Sequence, residues 1–373
     1  MLQKLNLVVD DKIPFMHGFA ELLGNVRYLP GAAITAADVR DADALIVRTR
    51  TRCDRALLEG SRVKFVATAT IGFDHIDTAY LQEAGIAWAN CPGCNAHSVA
   101  QYVESALLLL AAHGCWDAAC PQLDASLPVR EGALDRTIFS RLTLGIVGVG
   151  NVGSAVWETA KRLGFGHIVL CDPLRAEKEG SAFPSATLEE VAETCDVVTF
   201  HTPLTRAPHP HATFHMADEA FFRRLKRGAV VLNTSRGEVV SNDALREALV
   251  GGQLRAAVVD TWENEPNVDR RLLDLAFLAT PHIAGYSADG KVNGSRRSLQ
   301  HVARHFGLDA SPFDRMAAPS LPACFEYDET LRNGSFIPEL RLYDPSRDSR
   351  NLKSAPEAFE SLRGNYPLRR EMD

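Results

Sequence analysis

The sequence predicts an α/β chain made of two doubly wound parallel-sheet domains. Three observations lead there. The first hundred residues alternate short apolar runs with helix-like segments, the rhythm of parallel strands joined by crossover helices. Residues 142–153, LTLGIVGVGNVG, then carry an apolar strand into the glycines Gly148, Gly150 and Gly153. Beyond Asp172 the alternation resumes, and each later strand ends in polar residues. A chain of 373 residues is long enough for two or three domains, each with its own core.

Taken in order, residues 6–10 (NLVVD) read as a strand, 14–24 (PFMHGFAELLG) as a helix closed by glycine, and 44–49 (ALIVRT) as a second strand. After the helix DRALLEG, residues 64–70 (KFVATAT) and 86–90 (IAWAN) read as two more strands. Open parallel sheets bind ligands beyond the carboxyl ends of their strands. Arg48, Thr49 and Thr70 stand at such ends and offer a cation and hydroxyls suited to a polar anion. Cys91 and Cys94 form a CxxC pattern with His97 close by. No second ligand pair at finger-like spacing follows, so the stretch reads as a turn entering a helix over 98–112, and no metal is expected. From 115 to 141 the polar, proline-containing sequence reads as a surface connection.

The glycine turn GVGNVG, with Asn151 and Val152 between its second and third glycines, fits a dinucleotide. The first glycine allows a tight turn, the second lets backbone N–H groups approach a pyrophosphate, and the third lets the helix pack on its strand. Val152, Ala155, Val156, Ala160 and Leu163 recur at helical spacing, and Gly164 stands where that helix stops. Residues 167–172 (HIVLCD) then form a strand ending in an acid about twenty residues past the glycines. Asp172 would accept from a ribose 2′-hydroxyl and repel a 2′-phosphate, which points to NAD over NADP. The alternative is a glycine-rich turn in some other doubly wound protein.

Later strands are read over 196–203, 229–240, 254–266 and 278–287. The loop bearing His209, His211 and His215 is held irregular by Pro208 and Pro210 and reads as a solvated surface. Arg236, Glu265 and His282 stand at the ends of the last three strands. A guanidinium matches a carboxylate bidentately, an imidazole can take a hydroxyl proton near neutral pH, and a carboxylate can orient that imidazole. Together they supply what oxidation of a 2-hydroxy acid needs.

The strings GVGNVG, CDP, NTSRGEVV, VVDTWENEP and TPHIAG resemble the D-isomer-specific 2-hydroxyacid dehydrogenases over roughly residues 5–305. The strings VRTRT, ATATIGFDHID, PGCNA, TFHTPLT, TPHIAGYSADGK and FESLRGNYPLRRE narrow the resemblance to the member that oxidises 4-phospho-D-erythronate at C2, giving 2-oxo-3-hydroxy-4-phosphobutanoate in vitamin B6 synthesis. The resemblance implies a Rossmann NAD domain at 96–286, inserted in a flavodoxin-like substrate domain formed by 1–95 and 287–309, and a C-terminal dimerisation region at 310–373. It implies Arg236 and Glu265 in the active site and His282 as acid/base. Asp172, Thr202, Thr234, Asp260 and Gly285 join the glycine turn among the NAD contacts. Thr49, Thr70 and Tyr286 are implied to touch substrate. Arg48, Arg50 and Lys291 are candidates for a terminal phosphate. The segment 310–373, rich in prolines and charges, is expected to be weakly ordered without a partner subunit, so a homodimer is expected.

Composition limits the partners. A net charge of −7, with 46% hydrophobic and 23% charged residues of both signs, describes an ordinary soluble chain without a nucleic-acid surface. The longest apolar stretch, ALLLLAA at 106–112, is too short to span a bilayer. Eight scattered cysteines and a start lacking a long apolar core lead to the expectation of a reducing cytoplasm. Two other readings are another D-2-hydroxyacid dehydrogenase, of phosphoglycerate or glycerate type, and a non-catalytic NAD sensor. The complete Arg236, Glu265, His282 set argues against the sensor.

Overall fold

The computed structural model describes residues 4–117, 123–127, 129, 132–319 and 337–371. The chain divides into two compact units, residues 1–95 with 287–320, and residues 96–286 with 321–373.

The first unit is built on a parallel sheet of five strands in the order β2-β1-β3-β4-β5. They are β1 (Leu5–Asp10), β2 (Gly24–Leu29), β3 (Ala44–Val47), β4 (Phe65–Thr68) and β5 (Ala87–Ala89). Side chains alternate across this sheet, as the period of two requires. Leu7, Val9, Ala44, Ile46, Phe65 and Ala67 face a core that includes Val292, Leu299 and Val302 of the helix Ala288–His305. Val8, Leu45, Val47 and Val66 face Leu57, Leu58 and Leu81 on the other side. The long helix comes close to β4: a Cβ on Gly294 would stand 2.8 Å from the Ala69 carbonyl oxygen.

One expectation fails in this unit. Residues 14–24 do not form a helix; only Ala20–Leu22 makes a 3₁₀ turn, and Gly24 opens β2. Phe15 and Gly18 sit at φ +63° and +83°, which no α-helix admits. Met16, Ala20 and Leu23 still reach the core, so the helix-like spacing records burial and not helix. The strand β2 pairs along its whole length with β1 and creates the 2-1-3-4-5 order of a flavodoxin-like sheet.

The second unit holds a six-stranded parallel sheet in the order β11-β10-β9-β8-β6-β7. Its strands are β6 (Thr143–Val147), β7 (His167–Cys171), β8 (Val197–Phe200), β9 (Ala229–Asn233), β10 (Leu254–Val259) and β11 (Leu278–Ala279). Leu144, Ile146, Val230, Leu232, Val258 and Leu278 pack on the helices Ala96–Ala112 and Asn151–Leu163. Val147, Val198, Phe200, Val231, Ala257 and Val259 pack on the opposite layer. Because β7 and β8 flank β6, the order reverses there, the point at which open parallel sheets place a ligand beyond the carboxyl ends of their strands.

The described residues 337–371 are folded onto this second unit. Ile337, Leu340 and Tyr343 join one core, and Leu352 and Phe359 are fully buried in the other. A segment expected to be weakly ordered on its own is held by these apolar side chains, each worth about 1.5–3 kcal/mol when fully removed from water.

Candidate active site

β10 pairs with both β9 and β11, so the segments leaving their carboxyl ends start side by side. Those segments carry Arg236, Glu265 and His282, and all three strands stop earlier than the apolar runs suggest. Past β10, the carboxylate of Asp260, 1% exposed, accepts the Thr280 hydroxyl at 2.6 Å and the N–H groups of Ile283 and Ala284 at 2.8 and 3.0 Å. Burial pushes the Asp260 carboxyl up, against the opposing pull of His282 and these donors. Thr280 also meets the Tyr102 hydroxyl at 2.7 Å, and its carbonyl accepts the Trp262 indole N–H at 2.9 Å. Thus clamped, the backbone at His282 adopts φ +57°, a left-handed conformation that a non-glycine residue keeps only when its surroundings over-determine it.

The catalytic candidates Glu265 and His282 touch. Nδ1 of His282 lies 3.0 and 2.9 Å from the two carboxylate oxygens, and Glu265 also accepts the Trp262 backbone N–H at 3.0 Å. Burial acts to raise the Glu265 carboxyl; His282, the Trp262 N–H and Arg363 outweigh it, and the net shift is downward. With Nδ1 donating to a carboxylate, Nε2 is the nitrogen left for chemistry, on a ring 26% exposed.

Arg236 follows β9. Its carbonyl accepts from the Asn233 side chain at 3.0 Å, and its half-buried guanidinium donates to Ser235 O at 2.8 Å. The next residue joins this loop to the Glu265 segment: a Cβ on Gly237 would lie 1.9 Å from the Trp262 carbonyl oxygen.

The glycine turn sits at the sheet's reversal point. Gly148 has φ +85°, and a Cβ there would lie 2.8 Å from both the His201 carbonyl and the Thr202 methyl. At Gly153 a Cβ would lie 2.0 Å from Gly148 O, whereas nothing stands within 4 Å of one at Gly150. The turn is therefore closed against β8 and against itself but open in front of the helix Asn151–Leu163, where N–H groups and the helix dipole favour an anion. Asn151 and Val152 form the first turn of that helix, which Gly164 closes at φ +81°. Asp172 accepts from Val149 N–H at 2.8 Å and Arg175 N–H at 2.9 Å. The Arg175 guanidinium donates to Val149 O and Glu179, both at 2.9 Å, and stacks 4.3 Å from the Phe183 ring. It is committed to groups of the chain.

The remaining candidates are placed as follows. The Thr202 hydroxyl lies 3.9 Å from Met216 Sδ, and the Thr234 hydroxyl 3.2 Å from His201 Nδ1. Removal from water pushes His201 down to about 3. Gly285 and Tyr286 follow Asp260's backbone partners, and Tyr286 meets Tyr366 edge-on at 6.0 Å. In the first unit Thr49 is exposed past β3, and Arg48 donates to Lys12 O at 2.5 Å. The Thr70 hydroxyl donates to Gly72 O at 2.8 Å and lies 2.6 Å from that of Thr68, which contacts His75 at 3.0 Å. Arg50 is exposed and Lys291 half-buried. Cys91 and Cys94 are buried, and burial pushes their thiols up to about 11 and about 12. His211 pairs with Glu177 at 2.7 Å and His215 with Glu263. Among the described residues no group of three His, Cys, Asp or Glu side chains could hold a metal ion.

Arg363 and Arg369, from the C-terminal segment, reach the Glu265 and His282 segments and were missed. Both lie in the string FESLRGNYPLRRE, which is distinctive, but linear spacing gives no hint that it returns to these residues.

A model of the D-isomer specific 2-hydroxyacid dehydrogenase NAD binding domain matches residues 120–284. The chain is 48% identical to an erythronate-4-phosphate dehydrogenase of Bacteroides fragilis, over 98% of this chain and 97% of that one. It is 41% identical to one of Pseudomonas putida, over 98% and 93%. Among solved structures, D-lactate dehydrogenase of Aquifex aeolicus, complexed with NAD and lactic acid, superposes with TM-score 0.63 at 24% identity over 81% of this chain and 96% of that one. The D-mandelate dehydrogenase of Rhodotorula graminis does so with TM-score 0.63 at 25% identity over 81% and 94%. With full-length relatives this similar and the glycine turn, Asp172 and the Glu265–His282 pair in place, the chain belongs to the D-isomer-specific 2-hydroxyacid dehydrogenases, enzymes that use NAD.

Proposed function

We propose that this chain is an NAD-dependent dehydrogenase that oxidises 4-phospho-D-erythronate at C2 to 2-oxo-3-hydroxy-4-phosphobutanoate in pyridoxal phosphate synthesis. The observation that carries the reading is the His282–Glu265 contact at the carboxyl edge of a dinucleotide-binding sheet, together with relatives at 41–48% identity that bear the erythronate-4-phosphate dehydrogenase name.

The residues divide the work. Arg236 holds the substrate carboxylate. His282 takes the C2 hydroxyl proton at Nε2, and Glu265 keeps the ring in the tautomer that leaves Nε2 bare and stabilises the imidazolium that results. Tyr286, Thr49 and Thr70 orient the substrate, with Arg48, Arg50 and Lys291 as partners for its phosphate. The residues fit NAD: the turn Gly148–Gly153 and the helix N-terminus take the pyrophosphate, Asp172 the ribose, and Thr202, Thr234, Asp260 and Gly285 the remainder. NAD, when bound, supplies the hydride acceptor. Residues 96–286 serve as the NAD domain, 1–95 with 287–309 as the substrate domain, and 310–373 as a dimerisation region of a homodimer. A cytoplasmic location is supported by the six described cysteines, all free. No described helix is long and apolar enough to cross a membrane.

The test is NADH formation, followed by absorbance, on 4-phosphoerythronate, 3-phosphoglycerate, glycerate and D-lactate. The highest kcat/KM is expected on 4-phosphoerythronate. A preference for any other acid overturns the substrate assignment.

A further inference from the structure

Two arginines of the C-terminal segment reach the catalytic end of the second unit, and we propose that Arg363 is a positioning residue for the Glu265–His282 pair, brought there by the anchoring of Arg369. The proposal rests on the acid–base assignment above.

Arg369 is 3% exposed, and its guanidinium is spent on the chain. It donates to the carbonyls of Ile283 at 3.2 Å, Ala284 at 2.5 Å, Tyr286 at 2.8 Å and Ser98 at 3.1 Å, and to Gln101 Oε1 at 3.2 Å. Its plane lies 3.8 Å from the Tyr343 ring. A planar fork of five N–H donors suits this task, because it can bind several carbonyls of one irregular segment at once. That segment, 283–286, begins at the residue after His282. Asp260 holds its N–H groups and Arg369 holds its carbonyls, so the backbone that aims His282 is fixed from both sides.

The same anchoring delivers Arg363. Its side chain, 23% exposed, places Nη1 3.5 Å from Glu265 Oε2 and hydrogen bonds to the Tyr286 side chain. One carboxylate therefore sits between an imidazole and a guanidinium. The charged groups near the pair include Asp260 and Arg363, and Glu360 faces Arg363 from its own helix. The guanidinium helps keep Glu265 ionised and fixes the plane in which it receives the Nδ1 proton. Burial alone would do the opposite to Glu265.

The experiment uses the full chain with 4-phosphoerythronate and NAD. R363M and R363Q both remove the charge, and R363K keeps it. R363M and R363Q are expected to lower kcat about tenfold with little change in KM, and to move the acid limb of kcat/KM to higher pH by roughly half to one unit. R363K should return the limb to its wild-type position. Ring-proton NMR of His282, which needs neither substrate nor NAD, should show its titration moving the same way. An unmoved limb and an unmoved NMR titration in whichever neutral variant folds overturn the proposal, including the case in which only Tm falls. Failure of the underlying assignment looks different: H282A would then turn over like the wild type, whatever Arg363 does.

Discussion

The strand ends of the two sheets are equipped in opposite ways. At the carboxyl edge of the second sheet nearly every polar group is spoken for by the chain itself. Asp260 holds Ile283 and Ala284, Glu265 holds His282 and Trp262 N–H, and Arg369 holds the carbonyls in between. At the edge of the first sheet Thr49 and Arg50 are exposed, and the Thr70 hydroxyl meets only Thr68 and Gly72 among the described residues. The first arrangement suits transition-state chemistry, where donors and bases work best when they need no reorganisation. The second suits recognition, where exposed polar side chains can meet a ligand. The contrast implies that changes at the second sheet's edge act on kcat and on folding, and that changes at the first act on KM.

The hardest test of that contrast is H282A, expected to lower kcat by roughly a hundredfold or more, with KM nearly unchanged, in steady-state NADH assays. Unchanged turnover would mean that the preorganised edge is not the catalytic one. G153A comes next. Its Cβ would enter to 2.0 Å of Gly148 O, so the helix must shift, and a loss of about 1–3 kcal/mol in denaturant unfolding together with weaker NAD binding by calorimetry is expected. A variant as stable as the parent would show that the turn has slack. T49A should raise KM about three- to tenfold and leave kcat and Tm alone, the worth of one ordinary hydrogen bond; a fall in kcat instead would blur the division between the two edges.

The last test concerns pH. Burial holds His75 down to about 4, with Asp74 opposing. The folded protein thus keeps it neutral while the unfolded chain protonates it near the ordinary value of about 6.5. The stability it contributes is complete above pH 6.5 and is lost as pH falls toward 4. His201, held at about 3, acts in the same direction. H75Q should flatten the decline of Tm between pH 6.5 and 4, measured by calorimetry, while a slope identical to the wild type would remove His75 from the account.

Much of this was legible in the linear chain. The strands β6, β7 and β8 and the stop at Gly164 follow from period and punctuation, and Arg236, Glu265 and His282 could be picked out because each follows an apolar run in a sheet whose strand ends face one edge. The errors are instructive in the same terms. Residues 14–24 space their apolar side chains as a helix would, yet Phe15 and Gly18 take positive φ and the run becomes a turn leading into β2. The runs 229–240, 254–266 and 278–287 end as strands at Asn233, Val259 and Ala279. In the last run the N–H groups of Ile283 and Ala284 go to the Asp260 carboxylate rather than to a neighbouring strand, a choice made by a side chain more than twenty residues away in sequence.

What the sequence by itself determined was local: the glycines that make a phosphate-sized turn, the acid that follows the second strand, and the chemical types available at three strand ends. Only the tertiary structure decided that Glu265 meets His282 through Nδ1, that Asp260 and Arg369 grip the segment from Ile283 to Tyr286, and that a tail expected to be weakly ordered carries Arg363 to the Glu265 carboxylate. The physical reason is that turn geometry and hydrophobic period depend on neighbours a few residues apart, whereas the burial and pairing of a charge depend on whichever segments the folded core brings against it.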